Sequence, residues 1–151
     1  MLPKIYIAAD HGGFASKQTL IENLESQGYS VTDCGADTLR PDDDYPLIVE
    51  KVAQKMQVDK EAVGILLCRS GAGMSMAANR FSHLRAVTAS NKEQAQHARE
   101  HNNANVLTLS ADWLSVEEMQ TILKTFLTTP FSDEERHARR VAQLGIFGSQ
   151  E

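Results

Sequence analysis

The sequence predicts an α/β protein built on a five-stranded parallel sheet with helices on both faces. Two observations carry that reading. Short apolar runs alternate with helix-period segments five times along the 151 residues, the pattern of strand–helix units that builds a parallel sheet. One run, Val63 to Leu67, is apolar without interruption, as a strand buried on both faces requires. Ligands of such sheets sit at the carboxyl ends of the strands, so the residues that follow each strand are the ones to inspect.

The elements follow in chain order. Ile5 to Ala9 is a strand, followed by Asp10-His11-Gly12-Gly13. Phe14 to Gln27 reads as a helix with Phe14, Ile21 and Leu24 on one face and Gly28 as its stop. Ser30 to Cys34 is a second strand, and Arg40 to Asp44 a polar loop. Tyr45-Pro46 opens a helix in which Ile48, Val52 and Met56 share a face. The central strand ends at Cys68, and a helix is expected from Met74 to Phe81. Arg85 to Ala89 is the fourth strand, followed by capping-box spacing from Ser90 to Glu93. That helix carries Ala95 and Ala98 and reaches His101-Asn102 before a fifth strand, Val106 to Leu109. Ser115 to Glu118 repeats the capping spacing ahead of an apolar stripe, Met119, Ile122, Leu123, Phe126 and Leu127. A last helix is expected to start within Ser132 to Glu135 and to run to about Leu144, leaving Gly145 to Glu151 as a loose tail. No linker or repeat interrupts the pattern, so the chain reads as a single domain over residues 1–151.

The segment from Cys68 to Met74 is the chemical focus. Arg69, Ser70, Gly71, Ala72 and Gly73 form a small-residue turn between a strand and a helix N-terminus, which gathers free backbone N–H groups. Such a nest suits a phosphate or the oxyanion of an enediolate. Cys68 stands at its rim, where the positive helix end favours a thiolate. The same residues also fit a tight turn that packs a helix onto a strand, with Cys68 a small core residue.

Composition narrows the classes. A formal net charge of −5 argues against a nucleic-acid surface. The apolar run in MLPKIYIAAD is too short for a signal peptide or a membrane span. Cys34 and Cys68 lack metal-type spacing and suit a reducing compartment, so a cytoplasmic protein is expected. No G-x-G-x-x-G follows the first strand and no G-x-x-x-x-G-K-S/T loop occurs, which sets aside nicotinamide and nucleoside-triphosphate chemistry. His97 and His101 lie four apart, yet without an H-E-x-x-H pattern they read as a solvated helix face. Arg136 and Arg140 project from one side of the last helix, suited to a phosphate dianion or to a face balanced by Asp133, Glu134 and Glu135.

The ordered set of motifs is more specific than any member. Asp10-His11-Gly12-Gly13, Asp44-Tyr45-Pro46, Cys68 with Ser70-Gly71-Ala72-Gly73, Ala77-Ala78-Asn79, His101-Asn102-x-x-Asn105 and Arg136-His137-x-x-Arg140 recur in sequence. Over nearly its whole length the chain resembles the ribose-5-phosphate isomerase B / galactose-6-phosphate isomerase family. The resemblance implies a Rossmann-like three-layer α/β/α sandwich and metal-independent, cofactor-free aldose–ketose isomerisation of a sugar phosphate. It implies that Cys68 is the base; some relatives use a glutamate at the position of Met74. The N–H groups of Ser70, Gly71, Ala72 and Gly73 would hold the enediolate oxygens, and the Ser70 hydroxyl would assist proton traffic. His101, with Asp10, would open the cyclic sugar. His11, Arg136 and Arg140 would grip the phosphate, and Asn102 a sugar hydroxyl. By itself Asp10 also fits a turn residue or helix cap, and His101 a helix-end histidine.

The chain departs from the family pattern at two positions. Arg69 stands where the family usually has glycine, and Asp112 where many members carry a phosphate-holding arginine. Arg69 can replace the missing charge, the substrate can differ from ribose 5-phosphate, or catalysis can be lost to leave a sugar-phosphate-binding or regulatory protein. The intact Cys68, Ser70 and His101 favour retained chemistry. The resemblance also implies a homodimer or dimer of dimers, with the C-terminal helix supplying Arg136 and Arg140 to a neighbouring subunit. No nucleic-acid or membrane partner is expected.

Overall fold

Alternating apolar strands and amphipathic helices leave one arrangement in which both faces of every inner strand are covered. The computed structural model, which describes residues 1–147, adopts it. The strands are β1 (Ile5–Ala9), β2 (Val31–Asp33), β3 (Val63–Cys68), β4 (Ala86–Thr88) and β5 (Val106–Ser110). The helices are α1 (Phe14–Ser26), α2 (Tyr45–Val58), α3 (Ala72–Ala78), α4 (Lys92–Asn102), α5 (Val116–Thr128) and α6 (Glu135–Leu144). All pairs are parallel and the order is β2-β1-β3-β5-β4. Strand order reverses between β1 and β3, so the crevice at their carboxyl ends is the natural ligand site of the fold.

The side-chain period of two divides the core. Ile5, Ile7 and Ala9 face one way with Ile65, Leu67 and Leu107, under α1, α4 and α5. Tyr6, Ala8, Leu66 and Cys68 face the other way, under α2 and α3. The result is the expected three-layer sandwich, with Cys68 the last residue of the central strand.

Several local expectations shift. Asn91, not Ser90, caps α4: its side chain accepts the Gln94 N–H, while Gln94 Oε1 accepts the Ser90 N–H at 2.7 Å. Helix α3 begins at Ala72, two residues ahead of Met74, because Gly71 turns the chain at φ 79°. Helix α6 begins at Glu135, and the Ser132 hydroxyl turns to His137 instead of capping it. At the C-terminus, Gly145 caps α6 and residues 145–147 form a turn; the remainder of the expected loose tail lies outside the described residues. The box at Ser115 forms as expected, its hydroxyl accepting the Glu118 N–H and the Glu118 carboxylate accepting the Ser115 N–H.

On α1 the buried face is Lys17, Leu20 and Leu24, with Phe14 and Ile21 at its margin. Lys17 is fully buried. Its Nζ lies 2.6 Å from Asp33 Oδ2 and donates to the Ala36 carbonyl at 3.2 Å, so a charge in the core is paired rather than abandoned. The pair ties α1 to the segment that leaves β2 for the site.

The start of α1 approaches β3 so closely that only glycine fits. A Cβ on Gly13 would lie 2.6 Å from Leu67 Cβ and 2.9 Å from the Leu67 backbone carbonyl. Gly13→Ala should therefore destabilise the protein by about 1–3 kcal/mol through overpacking against backbone that cannot retreat. Gly145→Ala, whose Cβ would meet nothing nearer than 3.5 Å, should not be destabilising. Urea denaturation of the two variants checks the contrast.

Candidate active site

Two loops at the ends of β1 and β3 build the first part of the site. The Asp10 amide donates to Leu67 O at 3.2 Å, continuing the β1–β3 pairing by one residue. Its buried carboxylate turns back, Oδ1 accepting the N–H groups of Gly12 at 2.9 Å and Gly13 at 3.3 Å. Asp10 is thus a turn residue through Oδ1, and among the described residues its Oδ2 takes no hydrogen bond. Burial pushes its carboxyl above the usual range, against those two amides and neighbouring His11.

Across the crevice, Cys68 is buried, and the Gly71 N–H donates to its Sγ at 3.0 Å. The left-handed Gly71, where a side chain would meet Thr88 and the Leu109 carbonyl, makes that contact possible. The Ser70 hydroxyl accepts the Ala72 N–H at 3.2 Å. The nest is therefore narrower than expected. The Gly71 and Ala72 amides are engaged, and among the described residues those of Ser70 and Gly73 meet no acceptor. The Tyr45 ring roofs the turn: a Cβ on Gly73 would come within 2.9 Å of it.

The two departures from the family pattern meet. Arg69 Nε lies 3.4 Å from Asp112 Oδ2, and the Asp112 N–H donates to the Arg69 carbonyl. With the side chains 69% and 45% exposed, this pair adds little to stability; it sets the guanidinium beside Asp112. The stem of Arg69 lies on Gly12, where a Cβ would come 2.4 Å from Arg69 Cγ, so the two loops interlock.

A contact not anticipated from sequence completes this half. Asp43 Oδ1 accepts both the His11 N–H at 3.2 Å and its ring Nδ1–H at 2.8 Å. Asp43 is one of three consecutive aspartates in an aperiodic loop, and no local signal distinguishes it.

The other expected residues gather elsewhere. His101 and Asn102 end α4, and helices run antiparallel to the strands they follow. Cys68 is level with Ser110, whereas His101 and Asn102 precede Val106 at the far end of β5. The four-residue rise between those ends is on the order of 13 Å. Around His101 the ring of His97 lies at 4.1 Å and that of His137 stacks at 4.4 Å with an interplanar angle of 24°. With Arg140 and Asn102 they line a small cavity of about 200 Å³. Arg136 is exposed and donates to Glu134, the N-cap residue of its own helix. His137, missed as a structural residue, is buried, with its Nδ1 2.7 Å from Ser132 Oγ. Its spacing with Val141 and Leu144 was the available signal. The expected residues thus form two clusters at opposite ends of one sheet.

A Rossmann-like α/β/α sandwich with a thiol and an amide turn at its topological switch point defines the fold class of a small-molecule enzyme. The sequence matches the family described as Ribose/Galactose Isomerase over residues 5–144. Ribose-5-phosphate isomerase B of Mycolicibacterium paratuberculosis is 40% identical, covering 95% of this chain and 91% of that one. The Mycobacterium tuberculosis protein of that name is 38% identical over 95% of this chain and 89% of its own length. The crystal structure of ribose-5-phosphate isomerase B from Mycoplasma genitalium with bound ribulose-5-phosphate superposes with a TM-score of 0.94 at 34% identity, covering 98% and 97% of the two chains. That from Thermotoga maritima gives 0.90 at 39% identity, covering 95% and 97%. The class is that of sugar-phosphate aldose–ketose isomerases. The chain belongs to the ribose/galactose isomerase family.

The histidine stack predicts a pH dependence. Burial first, then neighbouring His101, Arg136 and Arg140, push the His137 imidazole below its usual value, opposed by Glu134. The folded state therefore favours neutral His137. As pH falls through about 6.5, where an unfolded histidine charges, the docking of α6 should weaken. Amide exchange along α6, corrected for its intrinsic pH dependence, should rise between roughly pH 7 and 5.5, and His137→Gln should flatten the rise.

Proposed function

We propose that the chain interconverts ribose 5-phosphate and ribulose 5-phosphate through an enediolate, with Cys68 as the base. The observation that carries the chemistry is the Cys68 sulfur at the rim of the β3–α3 turn, bonded by the Gly71 N–H beside the free amides of Ser70 and Gly73. The close likeness to a structure holding ribulose-5-phosphate supports the substrate.

In the open-chain aldose, the Cys68 thiolate takes the C2 proton. The released electron pair forms the C1=C2 bond, and the carbonyl π electrons move to O1. The Ser70 and Gly73 amides are placed to stabilise that oxyanion. The proton on O2 passes to O1, with the Ser70 hydroxyl as relay, and Cys68 returns its proton to C1 to give the ketose. His101, with Asp10, opens the ring; the raised carboxyl of Asp10 suits it to share a proton with a sugar hydroxyl. His11, Arg136 and Arg140 bind the phosphate, with Arg69 as a further cation at the rim, and Asn102 binds a hydroxyl. No metal or cofactor enters these steps. The free thiols accord with a reducing cytoplasm.

This chemistry needs both half-sites together, and a single chain holds them on the order of 13 Å apart along the sheet. The working unit is therefore a homodimer, alone or paired into a dimer of dimers, with His101, Asn102, Arg136 and Arg140 of one copy facing Cys68 of the other. Helix α6 packs on its own α4 through His137 and exposes both arginines, so the second half-site is displayed as one piece.

Cys68→Ser should lower kcat by at least about a thousandfold while sugar-phosphate binding survives, because a hydroxyl is a far weaker base than a thiolate. Turnover is measured on a panel of tetrose, pentose and hexose phosphates, with and without chelator. Binding of every candidate without turnover by the parent protein would establish a regulatory protein instead.

Mixing an Arg136→Ala/Arg140→Ala protein with Cys68→Ser under subunit exchange should restore activity, since each hybrid dimer carries one intact site. Random exchange of equal amounts makes about half the dimers hybrid, so specific activity should reach about a quarter of the parent's. No recovery despite proven exchange would place both halves in one chain's site.

A further inference from the structure

We propose that Asp43 is a positioning residue that aims His11 at the substrate's phosphate and keeps it cationic there. The inference rests on the reading of His11 as a phosphate ligand. Its ground is geometric: one oxygen of Asp43 takes two bonds from one residue, the His11 backbone N–H at 3.2 Å and ring Nδ1–H at 2.8 Å. The backbone bond fixes where the histidine begins and the ring bond fixes how its plane turns. With Nδ1 occupied, Nε2 is the nitrogen left to a ligand; among the described residues it meets no hydrogen-bond partner.

The environment suits a charge relay between loop and ligand. The Asp43 side chain is 12% exposed and that of His11 35%, so the carboxylate is shielded while the ring stays reachable. The Asp43 N–H donates to the Arg40 carbonyl at 3.3 Å, closing a turn that presents the carboxylate. At the other end of this loop, Lys17 holds Asp33 and Ala36. Three charged groups face His11. Asp43 on the β2–α2 loop and Asp10 on its own loop favour the imidazolium; Arg69, on the β3–α3 turn, opposes it. The bond to Asp43 is the largest influence and raises the imidazole above its usual value.

A phosphate monoester is a dianion above about pH 6, where an unassisted histidine loses its charge at about 6.5. Asp43 widens the overlap, so that cation and dianion coexist near neutral pH. The sign follows: affinity for phosphate is retained below the raised His11 value and falls as pH rises through it. Removing the carboxylate charge moves that fall to lower pH.

The test uses Asp43→Asn, which preserves size and one acceptor oxygen, and Asp43→Glu, which keeps the charge. His11 is titrated by NMR of its ring C–H in each full-length protein, assigned with His11→Gln, with inorganic phosphate as the binding probe. The expected result is a His11 titration at least about half a pH unit lower in Asp43→Asn. Phosphate affinity and KM at pH 7.5 should weaken by about threefold or more, a larger change than that in kcat, with partial recovery in Asp43→Glu. An unchanged His11 titration in folded Asp43→Asn would overturn the proposal, as would equal loss in the asparagine and glutamate variants. The titration needs no turnover, so a parent protein that isomerises no sugar phosphate would refute the proposed reaction while leaving the Asp43 result to be decided separately.

Discussion

The in-register parallel pairing of β1 with β3 is the constraint on which everything else rests. It runs from Ile5↔Val63 to Ala9↔Leu67 and is prolonged by the bond from the Asp10 amide to Leu67 O. A slip of one residue would turn Cys68 from the α2/α3 side of the sheet to the α1/α5 side. Because both strands are buried on both faces, such a slip is opposed by the whole core. The separation of thiol from carboxylate is therefore fixed by apolar packing far from either group.

From that pairing the site's other demands follow. The loop after β1 passes the end of β3, and the loop after β3 passes the end of β5, at backbone contact, which is why Gly13 lies on Leu67 and Gly71 on the Leu109 carbonyl. Small residues are spent on proximity, and larger ones are brought in from outside: Tyr45 from α2, Asp43 from the β2–α2 loop, Asp112 from beyond β5. Chemistry is concentrated at a place the fold leaves narrow.

The sheet, the helices and the two loops were legible because burial on two faces leaves an apolar run, and a crossing of backbones leaves glycines. Helix boundaries were less legible where caps compete: Ser90 and Asn91 are both good caps, and the one that also brings Gln94 into reach prevails. The partners of His11 and Arg69 were not legible at all, since Asp43 is separated from His11 by 32 positions in a loop without periodicity. Lys17 and His137 lay between these cases. Each interrupts an apolar stripe at helical spacing, with Leu20 and Leu24 or with Val141 and Leu144, and a polar side chain in such a stripe carries no local sign of the partner that lets it be buried. The separation of the His101 cluster from Cys68 was implicit in chain order, because a residue that ends a helix precedes the next parallel strand.

The contact of Arg69 with Gly12 couples two positions on neighbouring loops. With Arg69 in this rotamer, even a methyl group at position 12 would collide with its Cγ. Take the arginine side chain away and the nearest obstacles become the residue 69 amide at 3.1 Å and Asp10 Oδ1 at 3.3 Å, a fit that small adjustments accommodate. Alanine at position 12 and this rotamer of Arg69 therefore exclude each other, and the arginine would have to swing away from Asp112 to make room. A substitution at either position is felt at the other, so the rim of the crevice accepts changes in combination more readily than one at a time.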